Sequence, residues 1–138
     1  MKSCLFCAIA KKEIPANVVY EDKDNLAFLD VKPRAPGHVL VVPKIHTETI
    51  LDLKEGQGPS LLKALVKVEQ KLYEVLSPDG LTVGINEKEA AGQEINHLHI
   101  HIIPRFFGDG GGSIQSVVDN QPKESLNEVL KKFKLTNG

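Results

Sequence analysis

Apolar positions recur along this chain with two different periods. Between Pro59 and Leu76, the residues Leu61, Leu65, Val68, Leu72 and Leu76 follow spacings of three and four. Lys63, Lys67, Glu69, Gln70, Lys71 and Glu74 fall largely elsewhere on the helical wheel. That stripe predicts a long amphipathic helix laid on a core, stopped by Ser77-Pro78-Asp79-Gly80. A short helix is predicted over Ser3 to Lys12, where Leu5, Phe6, Ile9 and Ala10 share a face. Ser3 is placed to cap it and Pro15 to end it. Lys123 to Phe133 also has helical character, and the basic residues Lys131, Lys132 and Lys134 suit a solvated helix end.

Strands are predicted for Val18 to Glu21, Leu26 to Asp30, His38 to Pro43, Leu81 to Asn86 and His97 to Ile103. Lys23-Asp24-Asn25 reads as a tight hairpin, and Pro33-Arg34-Ala35-Pro36-Gly37 as a rigid, non-helical turn. Glu87 to Gln93 reads as a loop, and Gly108 to Gly112 as a flexible one. The sum is an α+β fold: an antiparallel sheet packed against one long helix, with a short N-terminal and a C-terminal helix. The chain has 138 residues and shows neither a repeat nor a low-complexity linker. One domain over 1–138 is therefore expected. The edge of its sheet is available as a dimer contact.

Composition narrows the partners. A hydrophobic fraction of 41% with 25% charged residues is that of an ordinary soluble domain. The net charge of -1 carries no electrostatic footprint for nucleic acid, while small anions remain possible ligands. The longest apolar run, Cys4 to Ala10, is stopped by Lys11 and Lys12. It is too short to span a membrane and short for a signal-peptide core, so the expected location is cytoplasmic.

The chemistry concentrates in His97-Leu98-His99-Ile100-His101. Two-residue spacing on a strand sends three imidazoles to one face and Leu98, Ile100 and Ile102 to the other. Such a row is costly as packing material, because each neutral imidazole brings a donor and an acceptor. Three uses fit it: ligands of a metal hydrolase, a covalent nucleophile toward phosphorus, or a non-catalytic metal or heme surface. For the second, an unprotonated imidazole nitrogen attacks, while neighbouring histidines and donors near Asn86, Gly92 and Gln93 hold the phosphoryl oxygens. His38, alone at the start of a strand, reads as structural. Gly108 to Gly112 lacks the Lys and the strand-to-helix context of a phosphate-binding loop.

The run Ala91 to Arg105, with His97, His99 and His101 in the pattern His-φ-His-φ-His-φ-φ, resembles the signature of the histidine-triad (HIT) superfamily. Phe6, Lys12-Glu13-Ile14-Pro15, Ala27-Phe28-Leu29-Asp30, and Pro36-Gly37-His38 through Pro43-Lys44-Ile45-His46 match its N-terminal landmarks in order. The likeness is closest to the nucleotide-binding branch and its microbial relatives. It implies a nucleotide hydrolase or transferase that cleaves an α-phosphate linkage of a purine nucleotide, of phosphoramidate or dinucleoside polyphosphate type. His99 would carry a nucleotidyl intermediate. His97, His101 and Gln93 would complete the catalytic set, with Asn86 and Gly92 beside the phosphate. Asp30 would accept the ribose hydroxyls, and Phe6, Leu5, Ile14 and Leu29 would line the purine slot. A homodimer is implied too. The alternative is a nucleotide-binding interaction or regulatory module with little turnover. Glu94 stands where that branch commonly has Ser, and the variable C-terminal segment 105–138 lacks, from Phe106 onward, its Trp-containing tail.

Cys4-Leu5-Phe6-Cys7 is open to three readings: a redox pair, two buried thiols, or half of a zinc site. Histidine-triad relatives with this pair are similar in binding zinc through two Cys and two His. That implies a structural zinc ion held by Cys4, Cys7, His46 and His97.

Overall fold

Five strands, β1 (Val18–Glu21), β2 (Asn25–Leu29), β3 (Val39–Pro43), β4 (Gly80–Gly84) and β5 (Ile100–Arg105), form one sheet in the order β1-β2-β3-β5-β4. Every neighbouring pair is antiparallel. The computed structural model describes residues 3–135. The α+β architecture expected from the periodicity is the one observed, with α1 (Leu5–Ala10) and α2 (Gln57–Leu76) on the sheet and α3 (Leu126–Lys134), none of whose residues is buried, at the C-terminal end. Short 3-10 turns over Ile50–Asp52, Glu89–Ala91 and Ile114–Val117 were not foreseen.

Strand alternation splits the interior in two. On one face Ala27, Val39, Val41, Leu98, Ile100 and Ile102 pack against Leu61, Ala64, Val68 and Leu72 of α2. On the other, Leu26, Phe28, Leu40 and Val42 pack against Phe6 and Ile9 of α1. The long helix thus covers one face and leaves the second to a helix of six residues. An isolated helix shorter than about 12 residues is not stable in water, so α1 depends on what holds it to the sheet.

Four boundaries differ from expectation for visible reasons. Cys4, not Ser3, caps α1: its Sγ accepts the Cys7 N–H at 3.4 Å. The helix closes at Ala10, before Pro15, because Lys12 turns to a positive φ of 64°. α2 begins at Gln57 rather than Pro59, which leaves Pro59 in the first turn, where a missing N–H costs nothing. β5 begins at Ile100 rather than His97. Its pairing with β3 runs only from Val41↔Ile100 to Val39↔Ile102, and upstream the Leu98 N–H is taken by the Thr47 carbonyl at 2.6 Å. Leu98 nonetheless stays buried on the α2 side, so the alternation extends beyond the hydrogen-bonded strand.

A histidine cluster on the sheet face opposite the long helix

The register Leu40↔His101 between β3 and β5 sets His38 and His101 diagonally on one face. They meet there, with His38 Nε2 3.0 Å from His101 Nδ1. His38 reaches this position directly after Gly37, whose φ of +84° suits glycine and whose added Cβ would collide with Leu76. The His99 and His101 rings lie 5.1 Å apart between centroids. Phe6, projecting from α1, sets its edge against His99 at 5.1 Å, His97 at 5.9 Å and Phe28 at 5.3 Å.

Each imidazole proton can be located from its partners, since a carbonyl only accepts and a backbone N–H only donates. His97 Nε2 lies 2.8 Å from the Pro43 carbonyl, so Nε2 carries the proton and Nδ1 keeps a lone pair. His99 Nδ1 lies 2.7 Å from the His97 carbonyl, so Nδ1 carries the proton and Nε2 keeps the lone pair. Burial lowers the basicity of His97, His38 and His101 below that of an ordinary histidine. For His38 and His101 the Asp30 carboxylate pulls the other way and loses. His38, His97 and His101 are therefore neutral rings at neutral pH. Among the described residues, no buried side-chain nitrogen or oxygen lacks a hydrogen-bond partner.

The free Nδ1 of His97 faces the cysteine pair, 3.4 Å from Cys4 Sγ and 3.5 Å from Cys7 Sγ. His46 Nδ1 lies 3.3 Å from Cys7 Sγ. The four ligand atoms fall within 4.8 Å of one another, a group able to hold a metal ion. Zinc bonds of about 2.3 Å to sulfur and about 2.0 Å to nitrogen give tetrahedral sulfur–nitrogen edges of about 3.5 Å, so the donor set fits that ion. The Pro43 carbonyl on the far nitrogen of His97 is the outer partner such a ligand needs. Without a metal, burial pushes the Cys7 thiol up to about 11.

The other expected residues are placed unequally. Asp30, half-buried, accepts the Lys32 N–H at 2.9 Å and brings Oδ2 to 3.5 Å from His38 Nε2. Asn86 lies beside Gly92, whose added Cβ would sit 4.0 Å from its Cγ. Gln93 uses its whole amide to hold the loop: Nε2 donates to the Glu48 and Ile95 carbonyls, and Oε1 accepts the Lys88 N–H. A phosphate contact by that side chain would require one of these bonds to open. Leu5 and Ile14 are exposed by 44% and 39%, an uncovered apolar margin around buried Phe6. Leu29 packs with the α2-side core, because it shares the phase of Ala27 rather than that of Phe28. Phe28 takes the place beside Phe6 that the sequence reading gave to Leu29. Glu94 is exposed.

His38, which reads as structural in the sequence, joins the cluster through its contact with His101. Its signal lay in phase alone, as it alternates with Leu40 and Val42, and nothing in the sequence announced that β5 would pair there. The glycine loop holds itself together: Asp109 accepts from Arg105 and from the N–H groups of Phe106 and Gly111. Those donors are taken and a carboxylate sits among them, so the loop is no phosphate cradle. A groove of about 630 Å³ beside it, lined by Thr82, Arg105 and Ile114 among others, contains none of the histidines.

Comparison with known proteins agrees with this geometry. The family model described as HIT domain matches residues 11–108. An uncharacterised HIT-like protein of Methanocaldococcus jannaschii is 44% identical over 135 residues, spanning 95% of this chain and 98% of the relative. The crystal structure of a HIT-family member from Bacillus subtilis superposes with a TM-score of 0.85 at 32% identity, covering 99% of both chains. An adenosine 5′-monophosphoramidase of Saccharomyces cerevisiae is 35% identical over 103 residues, which cover 75% of this chain and 63% of that protein.

Proposed function

The chain belongs to the HIT-domain family, and from that premise we propose that it cleaves an α-phosphate linkage of a purine nucleotide, with His99 as nucleophile. The observation that carries this reading is the His99 Nδ1–H bond to the His97 carbonyl at 2.7 Å. It leaves the Nε2 lone pair free for attack on phosphorus. In the first step a bond forms from His99 Nε2 to the α-phosphorus. The bond to the leaving group breaks, and that group departs with the electron pair. The ring then bears positive charge, which the carbonyl dipole on Nδ1–H favours. In the second step water attacks phosphorus, the phosphorus–nitrogen bond breaks and His99 regains its lone pair; the proton that water gives up to solvent balances the one the departed group has taken from it.

Phe6 with the exposed margin of Leu5 and Ile14 is the apolar surface a purine would cover, and Asp30 has a carboxylate oxygen for ribose hydroxyls. Asn86, Gly92 and Gln93 border the phosphate side through their loop. A zinc ion held by Cys4, Cys7, His46 and His97 would be closed by its four ligands, so what it supplies is structure. The chain is read as one domain over 1–138, working in the cytoplasm. No helix among the described residues is long and apolar enough to cross a membrane. A homodimer is proposed through β4, which ends the sheet, and the exposed apolar residues Leu62, Val66, Tyr73 and Leu76 of α2.

The test is release of AMP from an adenosine 5′-phosphoramidate and from a diadenosine polyphosphate, with His99→Ala as the control. Turnover that the substitution abolishes, with nucleotide binding retained, is the expected outcome. Saturable AMP binding without turnover of either compound would move the reading to a binding module.

A further inference from the structure

Asp30, His38 and His101 bring ligand-type atoms within 4.8 Å of one another, as a metal site would. Their hydrogen bonds argue for a different use. The Arg34 backbone N–H meets His38 Nδ1 at 3.0 Å. Nδ1 therefore holds a lone pair, and the one proton of the neutral ring sits on Nε2. A metal at Nε2 would drive that proton to Nδ1 and set two donors face to face. With Nε2–H fixed, His38 donates to His101 Nδ1 at 3.0 Å. Asp30 Oδ2, 3.5 Å from the same Nε2, adds an acceptor on that side. The backbone is pinned as well, since the His38 N–H donates to Ala35 and its carbonyl accepts the Asp30 N–H.

The geometry points to His38 as a positioning residue that holds His101 neutral, with its single proton on Nε2, so that His101 only donates a hydrogen bond toward a phosphoryl group carried at His99. A doubly protonated His101 would turn an Nδ1–H against the Nε2–H of His38. His101 is thereby barred from serving as the acid that protonates the leaving group, and its part is to steady phosphoryl charge. The consequence for rate rests on the reading of His99 as nucleophile; the tautomer itself does not.

The experiment is nitrogen NMR of the imidazoles in the wild-type protein, His38→Ala and His38→Gln, alongside steady-state kinetics. Glutamine keeps both functions, an oxygen to accept from Arg34 and an amide to donate to His101. The expected spectrum shows His101 Nδ1 unprotonated and Nε2 protonated in wild type and His38→Gln, and mixed tautomers in His38→Ala. In kinetics, His38→Ala loses about 10- to 100-fold in kcat with KM near wild type, and His38→Gln recovers most of it. A wild-type His101 protonated on Nδ1 would overturn the assignment. So would a His38→Ala variant with unchanged tautomer and kcat, or a folded His38→Gln variant that loses as much kcat as the alanine form. If the wild type turns nothing over, the nucleotide reading fails while the spectra still decide the role of His38.

Discussion

His97 serves two neighbours through two different atoms. Its Nδ1 faces the thiols of Cys4 and Cys7, and its carbonyl takes the proton of His99. A residue so placed joins the candidate metal group to the proposed nucleophile, His99, by covalent geometry alone. The two-residue spacing of the triad was legible in the sequence, because strand alternation needs no partner to be read. The protonation pattern was not, since it depends on which backbone atoms arrive: the Pro43 carbonyl, the His97 carbonyl and the Arg34 N–H. His38 stood 63 residues from His101 and so looked like a lone core histidine. Burial depresses the basicity of His38, His97 and His101 in the fold. Unfolded histidines titrate near about 6.5. Below that value the unfolded chain binds more protons than the folded one, so stability falls as pH falls. The loss levels off once pH is below the folded values. In metal-free protein the unfolding free energy read from urea denaturation should therefore drop from pH ~7 to ~5, by up to about 1.4 kcal/mol per pH unit for each histidine, and the midpoint with it. A midpoint that rises on acidification would show that these rings are not held neutral.

At the scale of elements, α1 is the weak member and the informative one. Its six residues carry one of the four metal-ligand candidates, Cys7, and the Phe6 ring that touches His97 and His99, while its cap, Cys4, is a second candidate. The long helix was legible to within two residues because its apolar stripe is continuous. The start of β5 was misread because alternation of side chains continues where pairing with β3 has ceased. If a metal clamps α1 to the sheet, a chelator should speed amide hydrogen exchange over residues 5–10 while α2 stays protected. Unchanged exchange in protein shown to have lost its metal would detach α1 from that role.

Across the whole molecule, one sheet separates two tasks. The α2 face is packing, built from Ala27, Val39, Val41, Leu98, Ile100 and Ile102. The opposite face gathers His38, His97, His99 and His101 with Phe6 and Phe28, residues spread over most of the chain. Much of this was legible, because fold and histidine face follow from the same periodicity. What was not legible is the choice between Phe28 and Leu29, which turned on the phase of one strand. The family match covers 11–108, so Cys4, Phe6 and Cys7 lie outside it. Val66 is 47% exposed on α2, and a charge there should not disturb the fold. Light scattering should find a dimer in wild type and a monomer in Val66→Glu. A wild-type monomer would refute the proposed interface.

A covalent nucleotidyl-His99 leaves its mark in the stereochemical course at phosphorus. The substrate would be an adenosine 5′-phosphorothioate derivative, chiral at the α-phosphorus and hydrolysed in water carrying a heavy oxygen isotope. Two successive in-line displacements, first by His99 and then by water, invert twice, so the account predicts net retention. Net inversion would mean that water attacks phosphorus directly, and the nucleophilic role given to His99 would be contradicted.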